Sequence, residues 1–252
     1  MRNKFVIKDG VVVSGTVTLV CKGNEFAKVS LSDLVNIKNP IIFGDIDLSG
    51  QGLVELPQMS NAIMYGSFLC QNNNIKSLKG IPRQVSGNVD CSNNKIKSLR
   101  HMPKHIGDGF NFSHNEVDSL HYLSEDIKGD IDASYNELVD LTYCVPECHG
   151  HFNCSYNKLL SLNGRLNVVW STMDCSYNYL QNLEDMPNTI YGDLVCSGNE
   201  FPDNFNVCKD VPGEVMGNII YDKKKSVKEK ANINKFNAFI GKIKSNLMQR
   251  VN

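Results

Sequence analysis

Phe68-Leu69-Cys70-Gln71-Asn72-Asn73-Asn74-Ile75 and, 21 residues on, Val89-Asp90-Cys91-Ser92-Asn93-Asn94-Lys95-Ile96 are two copies of one pattern. It reads apolar, any, Cys or apolar, two polar residues, Asn, any, apolar. Further copies open at Phe110, Ile131, Phe152, Met173 and Leu194, so asparagines recur at 73, 94, 115, 136, 157, 178 and 199. A degenerate copy precedes them at Ile46-Asp47-Leu48, with Gln51 where the asparagine should stand and one extra residue before Phe68. A fixed period of this length predicts a solenoid of about eight coils, because one coil cannot bury its own apolar face and stacked coils share a continuous core.

The second half of each unit is also patterned. Leu78 leads to Ile81-Pro82 and Val85, Leu99 to Met102-Pro103 and Ile106, and Leu183 to Met186-Pro187 and Ile190. Over roughly residues 43 to 204 the whole unit resembles the leucine-rich repeat, LxxLxLxxNxL, and within it the Leu-Pro-X subtype of bacterial pathogen effectors, lengthened by one residue per coil. The resemblance implies a leucine-rich repeat solenoid, with a parallel β-sheet on its concave face and irregular or short helical returns. Three coils depart from it: Ser124 follows Leu123, Pro146 is displaced by one position, and the coil ending in Val169 has no proline. Differently shaped returns are expected there.

The chain divides on this reading into an N-terminal β cap over 1–42, the solenoid over 43–204 and a C-terminal cap over 205–252. Within the first, Lys8-Asp9-Gly10 separates two apolar runs and predicts a hairpin over residues 4 to 20 that covers the first coil's edge. At the far end Phe201-Pro202 closes the last coil and Val211-Pro212-Gly213 breaks the pattern. A helix is expected from about 222 to 250, with Ile233, Phe236, Phe239, Ile240, Ile243 and Leu247 on one face.

The charge is lopsided. The net of −1 divides into nine Lys or Arg against two acids from Asp222 onward, and 17 against 25 before it. The basic helix has three readings: a cap laying its apolar stripe on the last coil, a partner-docking element, or an anionic-membrane or nucleic-acid patch. With 41% hydrophobic residues the chain can fill a core, and no apolar run approaches the roughly 20 residues of a membrane span.

Repetition assigns the asparagines to the scaffold, since their amides can serve backbone groups left unpaired where the chain turns. Cys70, Cys91, Cys154, Cys175 and Cys196 share one repeat position with Phe112 and Ala133, and are expected to stack inside as small apolar residues. The count of nine is odd and the 21-residue spacing of these five reflects the repeat, so no disulfide framework is implied and a reducing cytoplasm fits. Cys144, Cys148, His149, His151 and Cys154 are the residue types zinc selects, but register sends the three thiols inward and His151 outward, so no metal site or other cofactor is expected.

Function is expected on the outward strand face. The residue between the two inward positions runs Asp47, Leu69, Asp90, Asn111, Asp132, Asn153, Asp174, Val195, and the preceding outward position adds Asp45, Asp130 and Asp193 beside Asn88, His151 and Thr172. At its rim stand Asn72, Asn93, His114, Tyr135, Tyr156, Tyr177 and Gly198, the tyrosines flanked by Ser134, Ser155 and Ser176. An acidic, Tyr-lined face suits a basic protein and repels a nucleic-acid backbone. Stacked rings also stabilise one another, so recognition and scaffold both remain open for the tyrosines.

No phosphate-binding glycine loop, nucleophile elbow or HExxH is present. Cys208-Lys209-Asp210 copies the Cys-x-Asp tripeptide of ubiquitin-ligase domains carried by some Leu-Pro-X effectors, but about 40 residues follow it, too few for a domain of ordinary size. The expectation is a non-enzymatic protein that binds a basic partner, without a small-molecule substrate. From resemblance alone it is a bacterial or phage protein that inhibits or redirects a target, in the host cytosol. The alternative is an assembly subunit that docks through its C-terminal helix.

Overall fold

A computed structural model describes residues 41–222 together with the strands Val6–Lys8, Val11–Val13, Val17–Thr18, Cys21–Lys22 and Glu25–Phe26. The chain is a parallel β-solenoid of about eight turns, with one short helix, Val207–Asp210, among the described residues. The C-terminal helix expected from about 222 lies outside them.

The first strand of each coil is the one the repeat marks. Phe68–Leu69, Val89–Asp90, Phe110–Asn111, Ile131–Asp132, Phe152–Asn153, Met173–Asp174 and Leu194–Val195 pair in parallel with no slip, each residue opposite its counterpart 21 residues on. Period two sends the flanking residues inward and the middle one outward. Phe68 and Cys70 are accordingly buried while Leu69 is half-exposed, and the same alternation repeats from coil to coil.

The expectation of irregular or helical returns is corrected. The segment holding Val85 and Ile106 is itself a strand, in a second parallel sheet that runs Ile41–Phe43, Ile63–Tyr65, Gln84–Val85, His105–Ile106. It resumes as Glu147–Cys148, Val168–Val169, Thr189–Ile190 and Glu214–Val215. The break falls in the coil where Ser124 replaces the proline. There Ile127 makes only an isolated bridge to Ile106, and the Ser124 hydroxyl donates to Lys104 O instead. Sequence periodicity missed the second sheet because each of its strands sends one residue inward, such as Val85 or Ile106, and so shows no alternation to detect.

The two sheets meet at a tight corner. At Gly66 a Cβ would stand 2.2 Å from the Gly44 carbonyl oxygen, so glycine is what lets these two coils approach this closely. Between the sheets lies one continuous core. Phe68, Ile75, Leu78, Ile81 and Val85 fill a single coil and none exceeds 1% exposure. Each such side chain contributes about 1.5–3 kcal/mol by burial.

Both ends extend further than the repeat suggested. Val6–Lys8 and Val11–Val13 form the expected antiparallel hairpin. The second of these strands and Val17–Thr18 also pair in parallel with Ile41–Phe43 and Ile46–Asp47, so they continue the sheets as well as cover them. At the other end Val211-Pro212-Gly213 does not break the fold, and the boundary at 204 moves outward. Glu214–Val215 pairs with Thr189–Ile190, and Ile219–Ile220 with Leu194–Val195. This coil is longer than the others and its excess holds Val207–Asp210, which hid the register.

The asparagine ladder, buried at Asn73, Asn115, Asn136, Asn157 and Asn178 and half-buried at Asn94 and Asn199, closes each coil onto the one before. Asn94 Oδ1 accepts from Ile75 N at 2.9 Å, while Nδ2 donates to Cys70 O, Cys91 O and Ser92 O at 3.0–3.1 Å. Asn115, Asn136, Asn157 and Asn178 repeat the arrangement. A main-chain turn leaves these groups unpaired and water cannot reach them, so an amide that donates and accepts at once is required.

Candidate functional site

Asp90, Asn111, Asp132, Asn153 and Asp174 lie side by side on the outer face of the first sheet, all half-exposed. Each is also part of the scaffold. Asp90 Oδ1 accepts from Ser92 N and Oγ at 2.9 and 2.7 Å. Asn111 does the same with Ser113 at 3.0 and 2.8 Å, and Asp132 with Ser134 at 3.0 and 2.7 Å. Asn153 with Ser155 and Asp174 with Ser176 complete the series. These Asx turns use one oxygen, and amide and carboxylate serve equally. What distinguishes aspartate from asparagine here is the charge left over.

Those bonds correct the view of the serines. Ser134, Ser155 and Ser176 do not flank the rings as contact surface; each is 4% exposed and turned beneath the face.

Asp130, in the neighbouring outward row, also anchors backbone. Its Oδ1 accepts from His151 N at 2.7 Å, as Asp45 accepts from Ser67 N and Asp193 from Asn218 N. The side chains of Asn88, Asp90, Asn111, Asp130 and Asp132 surround an open depression of about 430 Å³. Gly109 lines it too, adding no side chain where the two neighbouring coils carry Asn88 and Asp130. The depression thus brings four of the predicted residues together, and Asn153 and Asp174 continue the row beyond it.

At the rim, His114, Tyr135, Tyr156 and Tyr177 form a single stack. Successive ring centroids are 4.1, 4.2 and 4.3 Å apart and the planes lie within 13° of parallel. The three tyrosines remain 40–51% exposed. Their backbones are left-handed, with φ of 52–53°, as are Asn72, Asn93 and Gly198 at the same repeat position. Asparagine and glycine tolerate this conformation, whereas an ordinary side chain costs roughly 1–2 kcal/mol there. Stacking returns about 0.5–1.5 kcal/mol per pair. The two effects nearly cancel, so fold stability alone gives little reason for tyrosine over asparagine.

Because each inner ring is covered on both faces, the stack offers ring edges and hydroxyls. Packing between its neighbours, with hydroxyl contacts to Tyr135 and Tyr177, pushes the Tyr156 pKa up to about 12. The hydroxyl therefore keeps its proton well into the alkaline range.

Cys144, Cys148 and Cys154 are buried, while His149 and His151 are exposed, so the chemically suggestive cluster does not converge. Burial raises all three thiols, Cys148 to about 11. No group of three His, Cys, Asp or Glu among the described residues is placed to hold a metal, and no helix among them is long and apolar enough to cross a membrane. Cys208 falls in the helix Val207–Asp210, and its side chain lies outside the described residues.

A second aromatic feature escaped sequence reasoning. Trp170 and Tyr191 stack at 4.6 Å with an interplanar angle of 1°, and Phe43 and Tyr65 at 5.0 Å, all exposed on the outer face of the second sheet. They share one repeat position, following the inward residue of that strand. The signal was present but had no meaning until the return was known to be a strand. Compared with protein-family models, with curated proteins and with solved structures, the chain finds no significant match.

Proposed function

We propose that this chain is a non-enzymatic binding protein of the leucine-rich repeat kind, resembling the Leu-Pro-X effectors. Its outer acidic face and tyrosine rim hold a basic partner protein. One observation carries the reading: Asp90, Asp132 and Asp174 make the same bonds to serine that Asn111 and Asn153 make, so their charge is surplus to the fold. A surplus charge repeated along one exposed face is what electrostatic complementarity to a cationic surface requires. The stacked rings beside it supply the rigid amphipathic area typical of binding hot spots. A cytoplasmic setting, in a host cell attacked by a bacterium or phage, is the context the resemblance suggests.

The same observation supplies the test. Replacing Asp90, Asp132 and Asp174 together by asparagine keeps every Asx turn and removes only charge. Retention of partner from the cognate cell lysate is compared for wild type, this variant, and a variant with Tyr135, Tyr156 and Tyr177 all changed to alanine. A basic partner held by wild type, weakened by salt and lost by both folded variants is the expected result. A partner retained equally by all three refutes the assignment.

A further inference from the structure

The pitch of the face carries the reading one step further, to the conformation of the bound segment, and this step rests on the binding role proposed above. The ring column advances 4.1–4.3 Å per coil, and strands in a sheet stand about 4.8 Å apart. Asp90, Asp132 and Asp174 occupy alternate coils of an in-register row. Their repeat is therefore two coils, between roughly 8.2 and 9.6 Å.

Few polypeptide conformations present side chains on one face at that interval. A β-strand repeats on one face every ~6.7 Å, so its second cation falls between two carboxylates. Seven residues of α-helix advance about 10.5 Å, and the error grows with each further contact. A polyproline II helix has three residues per turn and rises about 9.3 Å in that turn, inside the interval.

The chemistry of the rim agrees with the spacing. Stacked tyrosines present hydroxyl donors and the positive edges of their rings. Polyproline II has no internal hydrogen bonds, so its carbonyls are free to accept, and such segments dock in aromatic-lined grooves.

We infer that the partner presents an extended segment in the polyproline II conformation, with Lys or Arg at every third residue, lying along the row Asp90–Asp132–Asp174 with its backbone against Tyr135, Tyr156 and Tyr177. One cation faces each aspartate, and the coils carrying Asn111 and Asn153 face the residues between.

Peptides of equal length and equal lysine content, in a proline host, test this by fluorescence polarisation against the full chain. One carries lysine at every third residue, a second at every other residue, and a third in one block. The first is expected to bind about tenfold more tightly than the others, an advantage that Asp132→Asn reduces several-fold. Equal affinities for all three, all lowered by Asp132→Asn, overturn the polyproline II assignment and leave the acidic face as binding site. Affinities that Asp132→Asn leaves unchanged overturn both. The spacing comparison is made on the wild-type chain, so it does not depend on any variant folding.

Discussion

The ring of Tyr177 lies across the backbone of Gly198. A Cβ built on Gly198 would stand 2.6 Å from Tyr177 Cδ1 and 2.9 Å from Cε1, and the Gly198 φ is +69°. Glycine thus ends the aromatic column by giving its last ring a surface to rest on.

Gly198→Ala is expected to destabilise the chain by about 1–2 kcal/mol for the left-handed backbone, with a further loss from displacing the ring. Chemical denaturation in a double-mutant cycle separates the two. In a Tyr177→Ala background the same glycine substitution costs less, because only the backbone part remains. An unchanged cost in that background shows that the ring is not held by the glycine.

Asn136 gives a sharper test of the ladder. Its Nδ2 donates to Phe112 O, Ala133 O and Ser134 O, and its Oδ1 accepts from Val117 N. In Asn136→Ala the carbonyls of Phe112 and Ala133 still receive Asn115 and Asn157, and Ser134 O still receives His114 N. The loss therefore centres on the Val117 N–H, and about 1–3 kcal/mol is expected in urea denaturation. Asn136→Asp, though nearly isosteric, is expected to be worse at neutral pH, since it faces a carboxylate with three carbonyl oxygens. Its stability rises as pH falls, because the buried carboxyl binds a proton more tightly in the folded chain than in the unfolded one.

Tyr156 makes stability depend on alkaline pH. Its folded pKa is raised to about 12 from an ordinary value of 10.0. Below pH 10 both states hold the proton and the group contributes no pH dependence. From pH 10 to about 12 the unfolded chain loses the proton first, so stability falls across that window. Denaturation series at several alkaline pH values are expected to show a smaller fall for Tyr156→Phe than for wild type. Phenolate absorbance should lose its latest-titrating step in that variant.

The cysteine ladder predicts silence. Cys70, Cys91, Cys144, Cys148, Cys154, Cys175 and Cys196 are all free and buried, and burial raises every one of their thiol pKa values, Cys196 to about 12. The thiolate is the reacting form. Native-state alkylation at mildly alkaline pH, read by mass spectrometry of peptides, is expected to leave these seven unmodified, and denaturant to expose them together. Rapid labelling of Cys154 or Cys175 in the native chain shows that the core does not pack as described.

Much of this molecule is written in its period. Repetition of Phe68, Cys70 and Asn73 every 21 residues dictates stacked coils, an inward cysteine column and an outward Asp and Asn row, because a coil that cannot bury itself must bury against its copy. Register follows without further information, since any slip would set Asn94 against the wrong carbonyls. What the tertiary structure alone decided depends on contacts that no single residue announces. The return became a strand because Val85 found Met64 and Ile106 beside it, which placed Trp170 and Tyr191 on an exposed face. Ser134, Ser155 and Ser176 turned under the acidic row because Asp132, Asn153 and Asp174 reached them, and the left-handed turn under Tyr135, Tyr156 and Tyr177 set their rings face to face. A sequence specifies which side chains share a position; only packed neighbours determine which of their atoms are spent on the fold and which are left for a partner.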